Sequence, residues 1–249
     1  MALSFFLLLV LGHMIGDFVL QPYWLVIAKR NGWTGLLVHV GVVTFITAIL
    51  LWASAIPNWW VWIIVLFIGH LLIDQFRTYI FTDYSKGKGL LLLILDQLVH
   101  LGLLALLAWL AIGWTWADLN ILTTPFAANE QRLMAYLIAV AVLIGVVPVI
   151  EVETAVVALA MQGTNLNYTV KVDLSDRVMG SIERIIAVIL ILTGYGLLAP
   201  LAFAPRLAMM IYQGQARPSP TPMIAKVVVS LLSGVVVSYV LGYIPVPSL

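Results

Sequence analysis

The sequence contains no cysteine, which excludes disulfides, thiolate metal sites, iron–sulfur clusters and a cysteine nucleophile. It is also poor in charge, with 12 Lys and Arg and 11 Asp and Glu in 249 residues, or 9%. Soluble domains carry about 25% charged residues, because such side chains cover their surface. This chain cannot coat itself for water, so a soluble globular reading is excluded, and its apolar content excludes disorder. The formal net charge is only +1, so no basic face is present to draw nucleic acid. Also missing are a Walker loop, a dinucleotide glycine motif, a GxSxG elbow and an HExxH pair. What is abundant is apolar: 63% of residues are hydrophobic and the mean hydropathy is +1.11.

Apolar runs of roughly 18 or more residues read as membrane-spanning helices, since ~20 residues at 1.5 Å each cross ~30 Å of hydrocarbon. About seven occur, at 3–21, 35–55, 59–80, 89–112, 133–150, 184–204 and 224–244. They are continuous rather than alternating, which excludes a closed barrel. The first lacks a basic leader and a small-residue cleavage site and carries His13 and Asp17, so it reads as a mature helix and not a signal peptide. The expected fold is an all-α, polytopic helical bundle. Residues 1–115 form its four-helix core, 116–131 an external loop, and 132–249 a C-terminal region with a cytoplasmic amphipathic segment at 151–183. Lys29 and Arg30 in the first loop, and Lys86 and Lys88 in the third, place those loops in the cytoplasm and the N-terminus outside. Arg206, Arg217 and Lys226 then fall on the wrong side, leaving the course of 205–222 open.

The first four runs carry a tandem pattern. Residues 12–17 read Gly-His-Met-Ile-Gly-Asp and residues 69–74 Gly-His-Leu-Leu-Ile-Asp. Residues 37–41 read Leu-Val-His-Val-Gly and residues 98–102 Leu-Val-His-Leu-Gly. GHxxxD followed by LVHxG thus occurs twice, and the pattern holds all four histidines of the chain. Two parallel hairpins related by an axis along the membrane normal are the natural reading of such a repeat.

His13 and Asp17, His70 and Asp74, and Asp96 and His100 are each four apart, so each pair projects from one helical face. Counted from the cytoplasmic ends, these six and His39 fall in one slab ~10 Å thick. An ionisable group in hydrocarbon costs a few kcal/mol, so this many at one depth point to function. The preferred resolution is a divalent metal (zinc, manganese or iron), with two ions allowed, held by His13, Asp17, His39, His70, Asp74 and His100. A proton relay and plain polar contacts between helices are the alternatives. Haem ligated by paired histidines ranks lower, because it leaves the aspartates unexplained. Asp96 has no counterpart in the first hairpin, which makes it the candidate proton acceptor or bridging ligand. Glu183 and Arg184, at the entrance of the sixth run, are candidates for a lipid or substrate head group, against the plainer reading of interfacial anchors.

The GHxxxD start, the later HxxxD and DQxxH, and the distal GxxER resemble an uncharacterised family of bacterial integral membrane proteins, catalogued as domain of unknown function 3307. The likeness covers residues 5–112 and, more weakly, 176–206. It implies a multi-pass protein of the bacterial cytoplasmic membrane and no particular activity. A more distant, motif-level likeness to membrane-bound metal-dependent hydrolases implies hydrolysis of a lipid-linked substrate from the cytoplasmic side. The rivals are a non-enzymatic subunit of a larger membrane complex and a metal or proton transporter.

Overall fold

The computed structural model describes residues 2–52, 54, 56–80, 89–113, 129–161, 174–213 and 221–244. It is all-α, and no strand occurs among the described residues. Among the described residues, five helices are long and apolar enough to cross a membrane: Trp33–Trp52, Trp59–Thr78, Gly89–Ile112, Asn129–Ala158 and Met223–Gly242. The bent pair Leu3–Val19 and Trp24–Asn31 would add a sixth as one broken span. Polarity is arranged as lipid demands. Phe45, Leu72, Phe76 and Leu98 are 59–65% exposed, whereas His13, His39 and His70 have no exposure at all.

The count differs from the seven runs of the sequence for local reasons. The predicted run 184–204 is two elements. Helix α8 (Leu174–Leu192) ends where Gly194 takes the left-handed conformation, φ 86°. Tyr195 N then donates to Leu190 O at 2.7 Å, closing a C-terminal cap. The chain continues as a 3₁₀ segment, Gly196–Phe203, with Pro200 inside it. The expected amphipathic segment 151–183 is likewise divided. Its first residues finish α7 (Val147–Met161), 162–173 lie outside the described residues, and the rest opens α8. Of the expected external loop, 116–128 lies outside the described residues, and Asn129–Gln131 begin α6 (Asn129–Ala141).

The chain divides into two compact units. The first comprises Met1–Asp83, Leu91–Ala141 and Ile244–Leu249; the second comprises Tyr84–Leu90 and Val142–Tyr243. In the first unit, α1 (Ala2–Met14) runs into a π-helical turn at Ile15–Val19, closed by Leu20 N donating to Ile15 O at 2.8 Å. Pro22 caps the short α2 (Tyr23–Asn31), which packs against α3 (Trp33–Trp52). Then come α4 (Trp59–Ile80) and α5 (Gly89–Ile112). Helix α3 is central, packed on α1, α2 and α4, while α6 packs on α1.

The glycines of the first GHxxxD copy set the α1–α3 distance. A Cβ at Gly12 would stand 2.9 Å from Thr47 Cα, and one at Gly16 would stand 2.5 Å from Val43 Cα. Small residues four apart let two backbones approach where lipid supplies no hydrophobic drive. Gly69, in the second copy, meets only the flexible tip of Leu103, at 2.8 Å.

In the second unit, a π-helical turn at Val142–Val146 leads into α7. Pro148 follows directly. It has no N–H for the carbonyl four residues back and crowds it sterically, so the turn loosens there. Helix α10 (Thr221–Gly242) packs on α7 and α8, and α9 (Ala204–Gln213) follows the 3₁₀ segment. Ala187, Ala199 and Phe203 form a local core there.

Gly16→Ala is expected to destabilise the protein by about 1–3 kcal/mol, since its Cβ meets backbone that cannot yield. Gly69→Ala should change stability less, because a leucine rotamer can give way. Denaturant unfolding of the purified protein in detergent distinguishes the two.

Candidate metal centre

The seven residues singled out in the first four runs all belong to the first unit and are all buried, at 0–7% exposure. The imidazoles converge. Ring centroids are 5.4 Å apart for His13–His70, 5.0 Å for His13–His100, 5.4 Å for His39–His70 and 4.4 Å for His70–His100.

His39, on α3, lies at the middle. Gln21 turns its amide oxygen to accept from His39 Nδ1 at 2.7 Å, while the amide nitrogen donates to the backbone carbonyl of Asp17 at 3.0 Å. With Nδ1 carrying the proton, the Nε2 lone pair faces Asp17 Oδ1 at 3.1 Å, Asp74 Oδ2 at 3.1 Å and His70 Nε2 at 3.3 Å. Four polar atoms from the π turn, α3 and α4 thus aim at one another, and three of them, the two carboxylate oxygens and His39 Nε2, are acceptors. A cation removes that repulsion: the Lys29 ammonium, 3.3 Å from His39 Nε2, supplies one, and a shared proton or a metal ion would be the others. Four ligands at 2.0–2.2 Å from a tetrahedral ion stand about 3.3–3.6 Å apart. The observed separations, 3.1–3.3 Å here and 3.6 Å for His70 Nε2 to Asp74 Oδ2, bracket that spacing.

His100 is held in the same manner. Its Nδ1 donates to the backbone carbonyl of Asp96 at 2.9 Å, which leaves Nε2 as the lone-pair nitrogen. That atom is buried, has no hydrogen-bond partner and lies 3.7 Å from Asp74 Oδ1. A metal-ligating histidine characteristically donates its other ring N–H to a carbonyl or carboxylate, which sets the tautomer. Two groups have ligand atoms mutually within 4.8 Å: Asp17, His39 and His70, and His70, Asp74 and His100.

His13 and Asp96 stand outside both groups. His13 Nε2 donates to Gln97 Oε1 at 3.1 Å, and Gln97 Nε2 donates to Asp17 Oδ2 at 3.3 Å and Asp96 Oδ2 at 3.2 Å. Asp96 Oδ2 also accepts from Arg77 Nη1 at 2.9 Å. The tandem pattern by itself would group His13 with Asp17 and His39, but the third member of that group is His70, from the second pattern copy. The second, His70, Asp74 and His100, keeps the composition that the repeat suggested. Two functional residues were missed. Lys29 reads only as a loop charge in the sequence, and Arg77 only as a charge just before the third loop, yet both reach aspartates, Lys29 at 3.8 Å from Asp17 and 3.6 Å from Asp74, Arg77 at 2.9 Å from Asp96. A signal for Arg77 was available: it follows Asp74 by three residues on α4, one turn along the same face.

Two open clefts, of about 390 Å³ and 260 Å³, are lined by Trp24, Ala28 and Val38 among others, and by Ile56, Trp62 and Ala111 among others. Neither is lined by a residue of the centre.

Glu183 and Arg184 fall in the second unit, at 2% and 0% exposure. Arg184 Nη1 donates to Glu151 Oε1 at 2.6 Å and to Ser230 Oγ at 2.9 Å, Nη2 to Ser181 Oγ at 3.1 Å, and Nε to Leu143 O at 2.8 Å. Ser230 in turn donates to Glu151. Arg206 Nη2 lies 2.7 Å from Glu183 Oε2. Two glutamates thus balance two arginines inside the unit, and the Arg184 guanidinium is fully engaged there. The same pairing accounts for Arg206, which had seemed misplaced as a loop charge. Gly180 leaves room for both guanidinium groups: a Cβ there would meet that of Arg206 and stand 3.0 Å from Arg184 Nη1.

The protein-family model described as "Protein of unknown function (DUF3307)" matches residues 5–129, 125 of the 249. The chain belongs to this family. The matched stretch of the DUF3307 protein holds every residue of the His/Asp cluster and none of the Glu151–Arg184 cluster. No curated protein and no solved structure matches the chain.

Arg184→Leu is expected to lower stability by about 3–5 kcal/mol, because it leaves Glu151 buried without its main partner. Replacing both members, Arg184→Leu with Glu151→Leu, should recover much of the loss. Equilibrium unfolding in detergent of the single and double variants checks both.

Proposed function

We propose that this membrane protein holds one divalent metal ion in its first unit, in one of two three-residue groups that share His70 (Asp17, His39 and His70, or His70, Asp74 and His100), and uses it to hydrolyse a lipid-linked substrate in a bacterial cytoplasmic membrane. The observation that carries the metal is the set of facing acceptors around His39 Nε2, with the buried and unpartnered His100 Nε2 beside it. One ion, not two, follows from His70. It belongs to both groups, and a neutral imidazole has one lone pair to give.

Hydrolysis is supported by the donor set. Each group offers three protein ligands, which is the pattern of catalytic sites that keep a position open. A divalent ion there would supply Lewis acidity and a water made nucleophilic near neutral pH. The chain's own residues would do the rest. Gln21 and the Asp96 carbonyl hold two imidazoles in the ligand tautomer. Asp96 Oδ1, buried and without a hydrogen bond, remains free to accept a proton. The rings pack directly on one another at 4.4–5.4 Å, which leaves no slot among them for a haem macrocycle. One observation favours the rival reading, a closed metal site in a non-enzymatic subunit of a larger membrane complex. The seven side chains of the cluster are buried, at 0–7% exposure.

Elemental analysis of the purified protein, as isolated and after dialysis against zinc or manganese, is expected to give about one equivalent of metal, falling to near zero in His70→Ala. No metal under either condition would overturn the centre. In assays against lipid-linked phosphoesters, Asp96→Asn should retain metal and lose at least about 100-fold in rate. Turnover by this variant equal to the parent's would remove Asp96 from catalysis.

A further inference from the structure

Lys29 reaches deeper than a loop lysine should. Its Nζ stands 3.3 Å from His39 Nε2, 3.6 Å from Asp74 Oδ2, 3.8 Å from Asp17 Oδ1 and 3.0 Å from the Gln21 amide oxygen. The first three atoms are candidate metal ligands, contributed by three different stretches of the bundle. Its side chain is 10% exposed. The backbone beneath it is placed firmly, because α2 folds back onto α3 at Gly35, where a Cβ would stand 2.6 Å from Lys29 N. The side chain above that backbone is a long, flexible stem that can carry its head group outwards.

An ion bonded at about 2.0–2.2 Å to the ligands of either group, Asp17 and His39 in one and Asp74 in the other, would lie beside the ammonium, with charge of the same sign and little water between to screen it. The two are alternative occupants of one place. We propose that Lys29 is a tethered cation that fills the centre in the metal-free protein and swings out when a divalent ion enters. This inference rests on the metal reading above. It explains how two aspartates persist inside a membrane bundle without metal: the ammonium neutralises half of their charge, and Gln21 steadies it. It also makes the centre selective by charge. A monovalent ion offers the carboxylates no more than the lysine already does, whereas a divalent ion does. Lys29 therefore sets the metal concentration at which the centre fills.

The test is equilibrium dialysis of the full-length protein in detergent against zinc and manganese. It compares the parent, Lys29→Met and Lys29→Gln, with His70→Ala as the non-binding control. Both Lys29 variants are expected to bind about tenfold more tightly or better. In the parent, acylation of Lys29 by a water-soluble amine reagent, read by peptide mass spectrometry, should rise when metal is added. If one variant fails to fold, the other and the acylation readout carry the test. Equal or weaker binding by the Lys29 variants, with the parent still binding, overturns the role of Lys29 and leaves the metal centre standing. No binding by the parent or either variant overturns the centre and this inference with it.

Discussion

An ionised carboxylate inside a membrane bundle must be matched by opposite charge or by donors, and the first unit is organised around matching Asp17 and Asp74. Each approaches the same atom, His39 Nε2, at 3.1 Å from opposite hairpins. Everything else about the unit serves that meeting. Helix α3 is central because it carries His39. The Gly12–Gly16 face brings α1 against it closely enough for Asp17 to arrive, and the π turn at Ile15–Val19 carries Asp17. Extra turns of this kind are rare and occur often at functional sites.

The outer ring of polar groups acts by orientation rather than by direct contact with the centre. Gln21 governs His39, the Asp96 carbonyl governs His100, and Gln97 ties His13, Asp17 and Asp96 into one chain. Arg77 occupies the far oxygen of Asp96. Gln21 and Gln97 are cheap to place, since each both donates and accepts within the ring. Together they leave the lone pairs on the inside. The second unit solves the same problem differently, by closing its charges on themselves.

Much of this was legible in the sequence, and the parts that were not have identifiable causes. Continuous apolar runs and i,i+4 spacing located α3, α4, α5 and α10 to within a few residues and put the seven polar side chains on inward faces. Residue periodicity, however, carries no information about which helices cross closely. That is why His70 rather than His13 joins Asp17 and His39. The break at Gly194 was hidden because hydropathy stays high through a left-handed glycine and a proline. Lys29 reads as a loop charge in the sequence, but its head group is turned into the bundle. Amphipathic length is the reason: a lysine stem can carry its charge either way from the same backbone position.

The carbonyl of Leu143 has a further consequence. A regular helix would keep that oxygen for itself, but the π turn before Pro148 presents it to the side, where Arg184 Nε takes it. A defect in one helix thereby becomes a receptor for another. Arg184 also needs Glu151, which follows on the same stretch of chain, so both of its main partners emerge from the ribosome before it does. A buried arginine without its partners would be left with an unpaired charge. Helix α8 therefore has reason to dock only against a preceding stretch that is already folded, which makes the order of synthesis part of how this unit is assembled.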